Sequence, residues 1–279
     1  FHKEWLDSNG TRGKRANFSH ANLSGINLQY VSLKNAILIG CNLSNSHLLH
    51  SDFSNTILND SVLENATLLS INLNESKFTN AHMSNIKMIQ TNCTNSVGLN
   101  VDLSNSVLQE VDFSKTSLMQ CNLINSKIEH SNLSNSDFNF SNMQECVILN
   151  SNLYGANLSN TNLNDAKLVL NDISKIKLYN TSLRNALYHC QGIPDINYIG
   201  DIGFASTIQL HPKFLSGIMQ FRSALRVAGL WDLEREVTYA IERTRTAAAS
   251  PWEKWFRIIL FDWPNAYGMY PGRPLWLMW

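Results

Sequence analysis

The chain is electrically neutral, with 22 Lys and Arg against 22 Asp and Glu in 279 residues. No strongly basic stripe or face stands out in it, so nucleic-acid binding is not expected. It also has no run of ~18 apolar residues, so nothing in it is expected to span a bilayer. HExxH, P-loop, GxSxG and dinucleotide-binding fingerprints are all missing. The five cysteines form no CxxC pair and no metal-ligand spacing. Histidines 47, 50, 82 and 130 sit at different corners of the pattern described below, and the acidic residues are scattered, so paired-carboxylate chemistry has no seat. His189-Cys190 is the one adjacent pair with nucleophilic potential, and it reads as structural. No catalytic residue, cofactor site or metal site is expected, and no small-molecule substrate. A signal peptide is not visible, and because the chain opens on Phe1 its N-terminus is expected to be missing or processed.

What is present is a period of five. Stepping from Phe18 gives Leu23, Leu28, Leu33, Leu38, Leu43, Leu48 and Phe53, and the phase holds to Tyr188. Two residues before each stands a small or β-branched residue such as Ala16, Ala21, Ile26, Val31, Ala36 or Cys41. Five matches neither the helical period nor the strand period, so the pattern predicts a solenoid whose units bury their apolar residues only against neighbours. With two inward residues per five, four units close a square coil and residue n stacks on n+20 at ~4.8 Å. Nearly nine coils make a rod about 40 Å long. Asn recurs two residues after the large position (Asn35, Asn45, Asn55, Asn65, Asn80, Asn85, Asn95, Asn100, Asn105), where a corner needs left-handed geometry. Three departures stand out: Gly98 leaves a large position empty, Cys93 underfills one, and Asn171 puts an amide at a small position. A kink or small void is expected around residues 93–98.

The repeats read AnFsh, AnLsg, cnLsn, snLsn, AnLsn and tnLnd, which resembles the A(D/N)LXX motif of the pentapeptide-repeat family over residues 16–190. The resemblance implies an all-β fold, a right-handed quadrilateral parallel β-helix, here followed by a small α-helical C-terminal segment. Some members of that family act as DNA mimics that inhibit type II topoisomerases, a role that needs a strongly acidic surface. This repeat region has only a modest acidic excess interspersed with Lys77, Lys87, Lys115, Lys127, Lys167, Lys175 and Lys177, so topoisomerase inhibition is the least expected role. Four of the cysteines (41, 93, 121, 146) fall at inward positions as small hydrophobes, and Cys41 and Cys121 lie four coils apart, too far for a disulfide. A reducing compartment is expected. Sequons at Asn17, Asn22, Asn42, Asn74, Asn92, Asn132 and Asn157 argue against a eukaryotic secretory route, because glycans would crowd a packed coil. A bacterial cytosolic setting follows.

Stacking at n+20 lets the faces be read as columns. One outward column is Leu49, Leu69, Ile89, Gln109, Glu129, Leu149, Val169, and the opposite one includes Ile39, Leu99, Met119 and Tyr179. The two remaining faces are polar. Leu49, Leu69, Ile89, Leu149 and Val169 are the candidate interaction surface, for a protein partner or a second copy. The competing reading has them covered by the chain's own terminal helices, or half-buried at coil edges.

The ends differ in composition. Residues 1–15 are expected to cap the first coil, and 191–211 to form a second cap or linker. Residues 212–248 read as a helical hairpin whose first helix is ended by Gly229, a capping element or a protein-docking pair. Ser250-Pro251 predicts a third helix start. Six of the seven tryptophans lie after residue 230. The segment 249–279 gives Trp252, Trp255, Phe256, Arg257, Trp263, Arg273, Trp276 and Trp279 as candidate membrane-proximal residues. Its alternative is a tail folded back over the rod. Ala228-Gly229, Glu234, Glu242-Arg243, Tyr267-Gly268 and Arg273-Pro274 loosely resemble bacterial pentapeptide-repeat membrane proteins, in which a transmembrane module follows. The expected function is a non-enzymatic interaction or scaffold domain, the cytoplasmic part of a membrane-associated bacterial protein. The alternatives are the sensory or assembly domain of a membrane effector or channel continuing beyond residue 279, and a secreted bacterial effector.

Overall fold

The computed structural model describes residues 1–199, 202, 207–213 and 215–257. A short helix, α1 (His2–Asp7), precedes the rod. Each coil then contributes one short strand to a single parallel sheet of nine strands, in sequential order. The strands are β1 (Asn27–Gln29), β2 (His47–Leu49), β3 (Thr67–Leu69), β4 (Lys87–Ile89), β5 (Val107–Gln109), β6 (Lys127–Glu129), β7 (Val147–Leu149), β8 (Lys167–Asp172) and β9 (Leu187–Gln191). Leu48 pairs with Leu68 and Leu68 with Met88, the expected offset of twenty. The other three sides are held by single-residue bridges at the same offset, such as Asn42 with Val62, Asp52 with Asn72, and Ile57 with Lys77.

The five-residue pattern produces this shape because both apolar positions point inward at every step. From the second coil on, the large position is sealed: Leu38, Leu43, Leu48, Phe53, Leu58, Leu63 and Leu68 are all buried, and so are Ala36, Cys41 and Ala66 two residues before. Each such Leu or Phe contributes ~1.5–3 kcal/mol, offset by the cost of ordering its chain segment. The corners require left-handed backbone. Asn35, Asn45, Asn55, Asn65, Asn80, Asn85, Asn95, Asn100 and Asn105 have φ between 54° and 60°, as their spacing predicts. Bulkier residues accept the same geometry, among them Tyr30 (φ 55°), Lys115 (57°) and Phe140 (61°), because the stacked coils over-determine it.

The four corners are not alike. At three of them a backbone bond from the small position back to the large one closes the turn, as in Ala36 N–H to Leu33 O, Cys41 N–H to Leu38 O and Ser46 N–H to Leu43 O. The corner that follows a strand is closed between coils wherever the small position of the next coil carries a hydroxyl or an amide. There Val31 N–H donates to Ser51 Oγ (3.0 Å), and Ser51 Oγ donates to Leu28 O (2.7 Å). Val111 and Ser131 donate in the same way to Ser131 Oγ and Ser151 Oγ.

Asn171 belongs to this corner. Its Oδ1 accepts from Ser151 N–H (2.9 Å) and its Nδ2 donates to Ile148 O (2.8 Å), so a fully buried amide is satisfied on both sides. The register shifts at the same place: Val169 pairs with His189, but Asn171 pairs with Cys190. That one-residue bulge carries Cys190, which lies off the five-residue register, into the core, where it is 4% exposed.

The expected kink or void at residues 93–98 is corrected. A Cβ on Gly98 would lie 2.1 Å from Cε2 of Phe78, so the ring of the preceding coil fills the empty position. The bridges Lys77–Val97 and Val97–Ser117 continue without a shift, and Cys93 is fully buried.

At the N-terminal end, His2 ties α1 to the first coil: its Nδ1 accepts from Ala16 N–H (3.1 Å) and its Nε2 lies 3.1 Å from Lys34 O. Trp5 stacks on His2, with the Arg15 guanidinium over its ring. At the other end a 3₁₀ turn (Ile196–Tyr198) and a bridge between Leu187 and Gln209 lead to two helices, α2 (Ser216–Val227) and α3 (Trp231–Ala248). Gly229 (φ 75°) separates them in a Schellman arrangement, with Leu230 N–H on Leu225 O and Gly229 N–H on Arg226 O. Ile218, Phe221 and Leu225 of α2 and Val237, Ala240 and Ile241 of α3 are buried in one core with the last coil. A side chain on Gly217 would place its Cβ 2.1 Å from Cys190 O, a measure of how closely α2 presses on β9. Arg243 donates to Ile208 O (2.8 Å) and secures α3 to the incoming segment. Helix α4 (Pro251–Arg257) follows, its first turn capped by Ser250 Oγ accepting from Glu253 N–H (3.4 Å).

Candidate interaction surface

The outward positions of the rod fall into two kinds of face. On two sides, Asn and Asp just before the large position form ladders. Asp52 Oδ1 accepts from Ser54 N–H (2.9 Å) within its own corner and from Asn72 Nδ2 (3.2 Å) of the next coil, and Asn72 Oδ1 in turn accepts from Asn92 Nδ2 (3.3 Å). Asp112, Asn132 and Asn152 repeat the arrangement, as do Asp102 and Asn122 on another side. These side chains are already engaged with each other and with backbone. The sequence reading assigned Asn to the corners and missed the ladder, although the D/N of the repeat motif is its signal.

The strand face is of the second kind. There the position before the large residue runs Asn27, His47, Thr67, Lys87, Val107, Lys127, Val147, Lys167, and the position after it runs Gln29, Leu49, Leu69, Ile89, Gln109, Glu129, Leu149, Val169. The structure brings Leu49, Leu69 and Ile89 together as directly paired neighbours, and pairs Leu149 with Val169. Gln109 and Glu129 separate the two patches. All five apolar residues are half-buried. Helix α2 packs on β9, the strand farthest from Leu49 along the sheet. The corner beside this face carries its own ladder: Tyr30 stacks on His50 at 5.2 Å, Ser70 Oγ donates to Gln90, and Gln90 Nε2 donates to Glu110 (3.0 Å).

All five cysteines are buried free thiols. Burial raises the thiol of Cys41 to about 11 and those of Cys121, Cys146 and Cys190 to about 12, and raises Cys93 further. A thiol held protonated is neither a nucleophile nor a ligand. No group of three or more His, Cys, Asp or Glu residues able to hold a metal ion occurs among the described residues. His189 is held below the ordinary imidazole range by burial and by His211 nearby.

Of the membrane-proximal candidates, Trp252 and Trp255 are exposed on α4, with their rings stacked at 5.8 Å. Phe256 and Arg257 complete its backbone. Trp263, Arg273, Trp276 and Trp279 lie outside the described residues, as do the Tyr267-Gly268 and Arg273-Pro274 pairs. Among the described residues no helix is long and apolar enough to cross a membrane.

Comparison with known proteins agrees with this architecture. The family profile for pentapeptide repeats matches the chain in eight overlapping copies between residues 14 and 185. No curated protein sequence matches it. A trypsin-treated form of QnrB1, a plasmid-mediated fluoroquinolone resistance protein, is 17% identical with a TM-score of 0.50, over 70% of this chain and 95% of that one. HetL, a pentapeptide-repeat protein involved in heterocyst differentiation regulation in the cyanobacterium Nostoc sp. strain PCC 7120, is 25% identical over 73% of this chain and 94% of its own, with a TM-score of 0.32. The matched repeats span well over half of the chain, and the coil they encode is the one described above: the chain belongs to the pentapeptide-repeat family and folds as its quadrilateral parallel β-helix.

Proposed function

We propose that this protein is a non-enzymatic interaction scaffold that offers the strand face of its rod to a protein partner or to a second copy of itself. The observation that carries this reading is the paired column Leu49–Leu69–Ile89. It is an apolar strip on the nine-stranded sheet, whereas two other faces have their outward amides tied up in ladders. A rigid rod suits the task because every outward residue is fixed by a backbone register that repeats at ~4.8 Å, so little ordering is left for binding to impose.

The scaffold is further proposed to work at the cytoplasmic face of a bacterial membrane. The exposed, stacked Trp252 and Trp255 support membrane proximity, and five buried free thiols suit a reducing compartment.

The test is site-specific photo-crosslinking in the cell that makes the protein, from position 69 on the strand face and from position 74 on an Asn-ladder face. Position 69 is expected to yield a discrete protein adduct or a cross-linked dimer, and position 74 none. Equal labelling from both, or none from either, would overturn the assignment. Leu69→Asp should keep the wild-type melting temperature and lose the adduct when a crosslinker is placed at position 49.

A further inference from the structure

The strand face also carries charge in a fixed arrangement. Lys87, Lys127 and Lys167 are exposed in one column, separated by Val107 and Val147, the former 38% exposed. Pairing between consecutive strands from β4 to β8 places Lys87, Val107, Lys127, Val147 and Lys167 in adjacent coils. Cation and apolar residue thus alternate every ~4.8 Å, and the cations recur every ~9.6 Å. Of these three lysines only Lys127 has an acidic partner among the described residues, Glu129 at 2.9 Å, with the lysine half exposed and its partner largely covered. Two residues along each strand, ~6.7 Å away, runs the column Ile89, Gln109, Glu129, Leu149 and Val169.

An α-helix laid along the rod has matching spacings. At 1.5 Å per residue, positions i, i+7 and i+14 lie at 0, ~10.5 and ~21 Å, against ~0, ~9.6 and ~19 Å for the three lysines. The difference is within the reach of a lysine side chain. Positions i+3 and i+10 fall at ~4.5 and ~15 Å, over Val107 and Val147 at ~4.8 and ~14 Å. An extended strand has no such match, since 9.6 Å is about three residues and places successive lysine contacts on opposite sides of it.

We infer that the strand face docks an acidic amphipathic helix from a partner protein, laid along the rod with carboxylates over Lys87, Lys127 and Lys167 and apolar residues over the intervening valines. The inference rests on the interaction reading above and names the partner's chemistry. Anionic lipid is disfavoured as the occupant. The apolar residues of this face are half-buried and too shallow to insert into a bilayer.

The probe is a synthetic 21-residue helical peptide with Glu at i, i+7 and i+14 and Leu at i+3, i+4, i+10 and i+11. Its binding to the full chain is followed by fluorescence anisotropy, next to a peptide with Lys in place of each Glu. The Glu peptide should bind the wild type at least about tenfold more tightly than the Lys peptide. The triple variant Lys87→Glu, Lys127→Glu, Lys167→Glu, which changes only exposed side chains, should reverse that order. No binding of the Glu peptide, equal binding to wild type and triple variant, or lysine-dependent sedimentation with phosphatidylserine vesicles in place of peptide binding would each overturn the inference. The two readings fail separately: a protein adduct from position 69 together with a silent Glu peptide removes only the acidic helix, whereas loss of the adduct removes the interaction face itself.

Discussion

The middle coils and the last coil bury the same kinds of side chain by different means. Between β2 and β7 each residue lies over the one twenty positions away, and the core is completed by the coils before and after. From β8 to β9 the register slips by one, an amide replaces the small side chain, and the closing surface comes from α2 and α3. The middle is held by repetition, in which any coil serves as a template for the next. The end is held by individual contacts that have no second copy. A solenoid needs both, because an uncovered terminal coil would present a free strand edge to other chains.

The largest effect is expected where repetition is broken. Leu63 is 1% exposed in the middle of the stack. Leu63→Asp puts an unpaired carboxylate there at a cost of several kcal/mol, and should unfold the central coils. Circular dichroism against temperature checks it, and a melting temperature equal to the wild type would show that Leu63 does not face the core. Next comes the singular contact at the end. Asn171→Ala leaves Ser151 N–H buried without its acceptor and takes one of the two donors from Ile148 C=O, so about 1–3 kcal/mol of stability should be lost. Asn152→Ala, in the outer ladder, should cost under about 1 kcal/mol. Equal losses in urea titrations of the two variants would mean that the amide at the register slip is no more than another surface ladder.

The difference between the two regions also decides what could be read from the residues alone. The coil, its length and its inward positions follow from one period, since a five-residue repeat leaves a single closed way to bury both apolar positions. Columns such as Leu49–Leu69–Ile89 follow from the same arithmetic. Exceptions were harder to read, because each is settled by a neighbour twenty residues away. Gly98 looks like a gap in its own coil and is filled by Phe78 from the one before. Asn171 looks like a defect and is the acceptor and donor that its corner lacks. Cys190 falls off the register and is buried only because a bulge follows Val169. The helices were legible from Gly229 and Ser250-Pro251, but the contact of α2 with β9 at Gly217 depends on a surface that exists only once the rod has formed.

That contact gives the next test. Gly217→Ala would ordinarily favour a helix, yet here the new methyl meets the carbonyl of Cys190. Helix α2 must move outward, at a cost of about 1–3 kcal/mol. Hydrogen exchange should report the change as faster exchange in β9 and α2, with the middle coils unaffected. Uniform protection across the chain would mean that the end and the middle unfold as one unit.

The smallest effect is a gain. Tyr188 is 4% exposed at the last coil, and its hydroxyl has no hydrogen-bond partner among the described residues. Burial also pushes its phenol well above the ordinary range, so it stays neutral at any ordinary pH. The adjoining void of about 10 Å³, lined by leucines and isoleucines, is apolar and at the lower limit of what one water needs, so solvent is a poor partner for the hydroxyl. Tyr188→Phe removes the buried hydroxyl and keeps the ring. It should leave stability unchanged or raise it by about 1 kcal/mol, read as a higher urea midpoint at constant slope. In the middle coils the same place in the repeat is filled by Leu48, Leu68 or Met88, which have no polar group to satisfy. A gain on losing the hydroxyl would therefore locate the strain of the rod at its end, where repetition stops and the helices begin. A loss would mean that the hydroxyl has a partner, and that the last coil is as well satisfied as the others.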